Sequence, residues 1–316
     1  MIILLLLLIL GSMLAAGMYL LATRSKSSEH VASEDAFFIP EPRKKMPAPS
    51  PSPSAGSLLS ADDDGREQGL CIGGKFRTCV MRRSLGMDPQ GTHSAAWGCL
   101  HPHGALAITS EVGEDKALAA FAQAQAALRL NDALASPEGL SESAMRAAFA
   151  QAHDAVKALR GNSEVGVTAL ALSMRGDELT VGQIGANRVL RLRGEELSPL
   201  CAEHSVLEDF LKQKGLDREK SAELIDEMPM RFKTPVTHML GMGEGEPSIQ
   251  AHSLLPSDWL IALEHGLILA LGEAELRQMI LKGGQSPTAL ADSLVAEGRT
   301  RLGRTLMVAV VGPEQG

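Results

Sequence analysis

Aromatic side chains are scarce in this chain: one Tyr, two Trp and seven Phe among 316 residues. Basic charge is outnumbered too, 30 Lys+Arg against 38 Asp+Glu, for a formal net charge of -8 at pH 7. The two shortages exclude a nucleic-acid binder, since phosphate backbones call for a basic footprint and single strands for stacking rings. The four cysteines, Cys71, Cys79, Cys99 and Cys201, form no CxxC pair, and a reduced cytosol would leave them as ordinary thiols. Their even number would equally permit disulfides outside the cell. Missing as well are a GxSxG elbow, an HExxH pair and a glycine-rich dinucleotide fingerprint. What remains is an ordinary globular composition, 45% hydrophobic and 22% charged, which excludes wholesale disorder.

The apolar fraction is front-loaded. Ile2 to Ala22 carries no charged side chain, and as a helix it would span about 30 Å, the thickness of a hydrocarbon core. A cleaved signal peptide would have a basic leader and a small-residue cleavage site after a shorter run. Here no Lys or Arg precedes Ile2, and Ala15, Ala16 and Gly17 lie inside the run. Residues 1–23 are therefore expected to be a retained single-pass transmembrane anchor. Arg24, Lys26, Arg43, Lys44 and Lys45 follow it, so the positive-inside rule puts the C-terminal domain in the cytoplasm. Residues 24–65 read as a disordered tether, because the alternating prolines from Pro40 to Pro53 fit neither a helix nor a sheet interior. The folded domain is expected over 66–313.

Within that domain, Cys71–Met81 reads as one or two short strands broken at Gly73-Gly74, and Ala95–Ile108 as another strand-like stretch. Helices follow over 115–134 and 141–159, the second stopped by Gly161. Strand patterns then cover 165–174, 179–184, 188–193, 249–254, 259–263 and 306–311, and helical patterns 205–214, 217–227, 273–282 and 286–297. Runs of strands with paired helices point to layered antiparallel sheets, an α+β class.

Two local motifs invite chemistry. Gly69 to Lys75 spells GxxxxGK, but Phe76 follows the Lys and the continuation is strand-like, so a glycine turn between strands explains it better than a phosphate loop. Cys99, His101 and His103 alternate, which puts them on one strand face where they could ligate zinc. The competing explanation is a strand end with uncoupled histidines.

One run of motifs resembles a known family. Gly166-Val167-Thr168, Gly185-Ala186-Asn187-Arg188, Glu203-His204-Ser205-Val206, Met239-Leu240-Gly241, Asp258-Trp259 and Glu264-His265-Gly266-Leu267 follow in order, and Gly303-Arg304-Thr305 precedes the last strand. That series resembles the metal-dependent protein phosphatases (PPM, type 2C) over about residues 160–312. The resemblance implies an α-β-β-α sandwich, two antiparallel sheets flanked by helix pairs, and a serine/threonine phosphatase ancestry in which aspartates hold two Mg or Mn ions.

The departures from the family pattern matter more than the matches. Ala186-Asn187 stands where the family has Asp-Ser, Glu264-His265 where it has Ser-Asp before Gly266, and Gly303-Arg304 where it has Asp-Asn. His103-Gly104 is the expected equivalent of a further Asp-Gly, and no Asp lies between Pro89 and Glu114. Hard dications need oxygen ligands and negative charge, so Mg or Mn binding is expected to be lost, leaving a pseudophosphatase with no catalytic residues. Arg188 is a candidate phosphate contact, with a structural ion pair as the equal alternative. A rebuilt zinc site from Cys99, His101, His103 and His265 is the enzymatic alternative, a hydrolase with an altered site. The expected partners are a protein, such as a kinase, phosphatase or phosphoprotein, and the membrane. A third reading is a structural subunit of a membrane assembly.

Overall fold

The computed structural model describes residues 65–72, 75–84, 96–101, 103–136, 140–218, 220–282, 286–302 and 306–313. The expected anchor and nearly all of the tether lie outside the described residues. Among the described residues, no helix is long and apolar enough to cross a membrane.

The domain opens with β1 (Gly65–Ile72), β2 (Lys75–Ser84), β3 (Ala96–Leu100) and β4 (Leu106–Val112), followed by the helices α1 (Lys116–Leu134) and α2 (Glu142–Arg160). Four strands come next: β5 (Gly166–Arg175), β6 (Glu178–Ile184), β7 (Arg188–Arg193) and β8 (Glu196–Pro199). An excursion carries the short helices α3 (Val206–Lys214), α4 (Ala222–Glu227) and α5 (Met230–Lys233). The chain closes through β9 (Ser248–Ser253), β10 (Trp259–Leu263), α6 (His265–Leu271), α7 (Glu273–Lys282), α8 (Pro287–Leu302) and β11 (Leu306–Pro313).

The strands form two antiparallel sheets, one ordered β1-β2-β11-β10-β7-β8 and the other β3-β4-β5-β6-β9. Strand alternation separates their faces. Leu106, Ile108, Leu170 and Leu172 of the second sheet meet Met81, Leu260, Met307 and Ala309 of the first in an inter-sheet core. The opposite face of the second sheet, with Ala107, Ala169 and Ala171, packs on α1 and α2. Small side chains there let the helices approach closely. The outer face of the first sheet, with Ile261, Leu263, Val308 and Val310, packs on α6, α7 and α8. The result is the four-layer α-β-β-α arrangement expected for the fold class.

Local chemistry sets the boundaries. Asp115 accepts from the Leu118 N–H at 3.0 Å and Ser141 from the Ala144 N–H at 3.3 Å, so each helix of the pair starts on a side-chain cap. The GxxxxGK letters fall on the paired strands β1 and β2, where Ile72 pairs with Lys75 and strand follows the Lys instead of the helix a phosphate loop requires. The Ala95–Ile108 stretch is two strands. His101 N–H donates to Ala105 O at 2.8 Å, closing a turn at Gly104, whose φ of 88° suits glycine. The sequence pattern also missed α6, because its run Gly266 to Leu271 is apolar on every side and carries no helical period.

Candidate functional site

β6 belongs to one sheet and β7 to the other, so the Gly185-Ala186-Asn187 turn carries the chain across the sandwich. Gly185 has φ 93°, and a Cβ there would stand 2.4 Å from Thr168 Cγ2, so only glycine fits. Asn187 follows, fully buried. Its Oδ1 accepts the His265 backbone N–H at 3.1 Å and lies 3.4 Å from the Thr168 hydroxyl. That hydroxyl is also 3.4 Å from the Ser110 carbonyl. Glu264, buried at the end of β10, donates its backbone N–H to Met307 O of β11 at 3.3 Å. Ser110, Thr168, Asn187 and Glu264-His265 thus bring the ends of β4, β5, β7 and β10 to one junction.

The orientation of Asn187 is fixed by chemistry. A backbone N–H can only donate, so the atom facing His265 N must be Oδ1, and Nδ2 points elsewhere. Nδ2 and the Ser110 hydroxyl are buried without a hydrogen-bond partner among the described residues. An amide N–H donor is the wrong group to present to a cation. Among the described residues, no three His, Cys, Asp or Glu side chains stand together as a metal group. The donors gathered here among the described residues are an amide, two hydroxyls and the single Glu264 carboxylate, fewer carboxylates than a pair of hard dications takes.

The structure places the remaining sequence candidates as follows. Ala186 is buried in the crossing turn and Gly266 lies in the first turn of α6. Gly303 and Arg304 lie outside the described residues. His103 and Gly104 do not reach the junction. They sit at the β3–β4 turn, where His103 Nε2 is 2.7 Å from Leu134 O and its ring is 5.3 Å from that of His101. From there β4 runs to Ser110, which pairs with Thr168. Leu106 to Ser110 alone covers about 13 Å of strand, so Cys99, His101 and His103 are at the far end of β4 from His265. Burial also pushes the Cys99 thiol up to about 12 and lowers the pKa of His101, with the nearby His103 adding to the latter shift. The proposed zinc quartet is not assembled.

Sequence reasoning singled out His103-Gly104 at the β3–β4 turn and missed Ser110, which the structure places at the junction beside Thr168. Ser110 shares its face with Leu106 and Ile108 and looks toward the first sheet, while Glu111 shares the helix-facing side with Ala107.

Arg188 answers its own question. It is buried, and its guanidinium forks onto Glu273 at 2.7 and 2.9 Å while Nε donates to Glu203. Arg218 joins the cluster through Glu273 at 2.6 Å, Glu208 at 3.0 Å and Glu203 at 3.2 Å. Burial alone would lower the Arg188 pKa, but the two glutamates outweigh it and hold the value above the ordinary one. The side chain is committed to an ion-pair network and is not presented to a phosphate. The network borders a small, partly open cleft between the 205–236 excursion and α6–α7, lined by Arg188, Arg218, Lys233, His265, Ile268 and Glu273. At the base of the excursion, His204 accepts the Gly185 N–H through Nδ1 at 3.3 Å. Burial, with His238 and Lys212 nearby, lowers its pKa to about 4, so it stays neutral.

Neither a family model nor a curated protein matches this chain. Solved structures do. PppA, a key regulatory component of the T6SS in Pseudomonas aeruginosa, superposes with a TM-score of 0.59 at 24% identity, covering 75% of this chain and 98% of that one. The S. agalactiae serine/threonine phosphatase gives 0.61 at 20% identity over 75% and 100% of the two chains. The Mycobacterium tuberculosis serine/threonine phosphatase PstP/Ppp gives 0.60 at 19% identity over 76% and 99%. The catalytic domain of PstP has also been solved in complex with two manganese ions. These likenesses, together with the two antiparallel sheets and their flanking helices, establish that the chain has the fold of the PPM-type serine/threonine phosphatases.

Proposed function

We propose that the protein is a membrane-anchored pseudophosphatase, a PPM-like domain that acts by binding a signalling protein or phosphoprotein and does not perform metal-dependent phosphoryl hydrolysis. The observation that carries this reading is the junction built on Asn187. Amide, hydroxyl and backbone groups tie Ser110, Thr168 and His265 together there. A two-metal hydrolase needs carboxylates at such a point to hold the ions that activate water and neutralise the phosphoryl group. Hydrogen bonds tie the strand ends here instead. The fold likeness to PppA, itself a regulatory component, supports a role exerted through other proteins. Residues 1–23 serve as a single-pass anchor and 24–65 as a tether that sets the reach of a cytoplasmic domain.

Cross-linking of the full chain in membranes tests the binding role. The expected result is recovery of a kinase, a phosphatase or a phosphoprotein, with recovery of the last reduced by prior dephosphorylation. Recovery of structural membrane subunits alone would contradict the proposal and favour a purely architectural part.

A further inference from the structure

Between Leu240 and β9 the chain makes a short glycine-rich strap against α2. Backbone pairing fixes both its ends. Leu240 exchanges hydrogen bonds with Val167 of β5 at 2.8 and 3.2 Å, and Ser248 opens β9 opposite Gln183 of β6. Gly241 to Pro247, between those ends, belongs to no helix or strand and is held by side chains of α2. Arg160 Nε donates to Gly241 O, and Arg146 meets Glu246 at 3.0 Å in an exposed pair.

His153 stands between these two arginines on the same helix. It is 6% exposed, and its Nδ1 accepts the Gly241 N–H at 3.2 Å. Gly245 lies against the same ring: a Cβ there would stand 1.7 Å from Nδ1, and the φ of 62° is one that glycine adopts freely. The strap thus covers the imidazole as well as bonding to it. A backbone N–H can only donate, so Nδ1 must be the bare nitrogen and the ring proton must sit on Nε2. The bond holds only with a neutral imidazole.

The surroundings favour that form. β5, β6 and β9 turn Val167, Ala169, Gly182, Ile184 and Ile249 toward the helix layer, and none of these titrates. The charged groups acting on the ring are Lys157, Asp154 and Arg160 of its own helix. The strap contributes Glu244 and Glu246, the latter taken by Arg146. Burial lowers the His153 pKa most, Lys157 and Arg160 lower it further, and Asp154 opposes them.

We infer that His153 is an acid-sensitive clasp: when its ring takes up a proton, the strap 241–247 comes off α2 while both its ends stay paired. A protonated Nδ1 and the Gly241 N–H would be two donors face to face, and the new charge would lie under Gly245, away from water. Lifting the strap relieves both. The released ring titrates at its ordinary value of about 6.5, above the one it has under the strap. The clasp is therefore at full strength above that value and weakens as pH falls below it. Arg146 and Arg160 stay charged throughout and add no pH dependence of their own. The clasp stands apart from the binding role, since it is read on the protein alone.

Amide hydrogen exchange on the full chain tests it, comparing protection over 241–246 at about pH 7.5 and about pH 5.5 after correction for the intrinsic rate. Wild-type protection there should fall about five- to tenfold at the lower pH. β10 should change by less than about twofold. His153→Asn, whose amide oxygen can replace Nδ1 without titrating, should keep the strap closed at both values. His238→Asn, at an exposed histidine just before the strap, should respond as the wild type does. Unchanged wild-type protection would overturn the inference, and so would an equal loss in β10, because the transition would then be global. A pH response that survives in His153→Asn, or vanishes in His238→Asn, would overturn it too. Should His153→Asn fail to fold, nitrogen NMR of the wild-type imidazole decides. A proton on Nε2 at neutral pH, together with the fall in protection, supports the clasp, and a proton on Nδ1 refutes it.

Discussion

Asn187 and Arg188 are neighbours in the chain and both are buried, yet their surroundings are opposites. Asn187 faces the sheet junction and is met by a hydroxyl and a backbone amide. Arg188 faces the 205–236 excursion and is met by two carboxylates, with a second arginine sharing them. One residue step separates a hydrogen-bonded seam from a dense ionic cluster. The contrast locates the charge around this turn: on the Arg188 side it fastens the excursion to the sandwich, while on the Asn187 side an amide, a hydroxyl and a backbone N–H tie the strands.

The largest effect expected from breaking this contrast is on the ionic side. Arg188→Ala leaves Glu203 and Glu273 buried and short of a cation, and should cost about 3–5 kcal/mol in urea denaturation. A smaller loss would mean that water reaches the orphaned carboxylates. Acid should act on the same cluster. Burial would raise the Glu273 pKa, but Arg188 and Arg218 outweigh it and hold it at about 2, below its ordinary 4.5. A depressed carboxylate contributes stability that is full above the unfolded value and lost as pH falls through the folded one. The contribution, on the order of 3 kcal/mol, should therefore be present above pH 4.5 and drain away toward pH 2. In Glu273→Gln, stability measured across that window should lose this part of its slope.

On the neutral side the cost is lower. Asn187→Ala removes the acceptor for His265 N–H and for the Thr168 hydroxyl, for an expected loss of about 1–3 kcal/mol by the same denaturation. Arg146→Ala, which breaks an exposed pair with Glu246, should stay within about 0.5 kcal/mol. If Asn187→Ala proved as costly as Arg188→Ala, the two sides of the turn would not differ in the way described.

The fold was legible where local signals repeat. The alanine-rich stretches over 115–134 and 141–159, the stop at Gly161 and the β-rich runs from Val165 to Arg193 announced their elements correctly. The motif series also pointed to the right sandwich. The site was legible only in part. Asn187, Glu264 and His265 were singled out by departure from a pattern, and the structure brings them together. Ser110 was not, because its place depends on a long-range pairing with Thr168 that no local period encodes. His103 was drawn in by its alternation with Cys99 and His101 and by the expected Asp-Gly register, and neither fixes the end of the sheet to which its strand leads. The role of Arg188 stayed open between two readings, since its partners Glu203 and Glu273 are 15 and 85 residues away.

The most direct test of the account is made on the purified full chain, by measuring bound metal and phosphomonoester turnover with manganese or zinc added. The account predicts no stoichiometric metal and no turnover above the uncatalysed rate, with His265→Ala indistinguishable from wild type. Stoichiometric metal, together with turnover that His265→Ala abolishes, would contradict it.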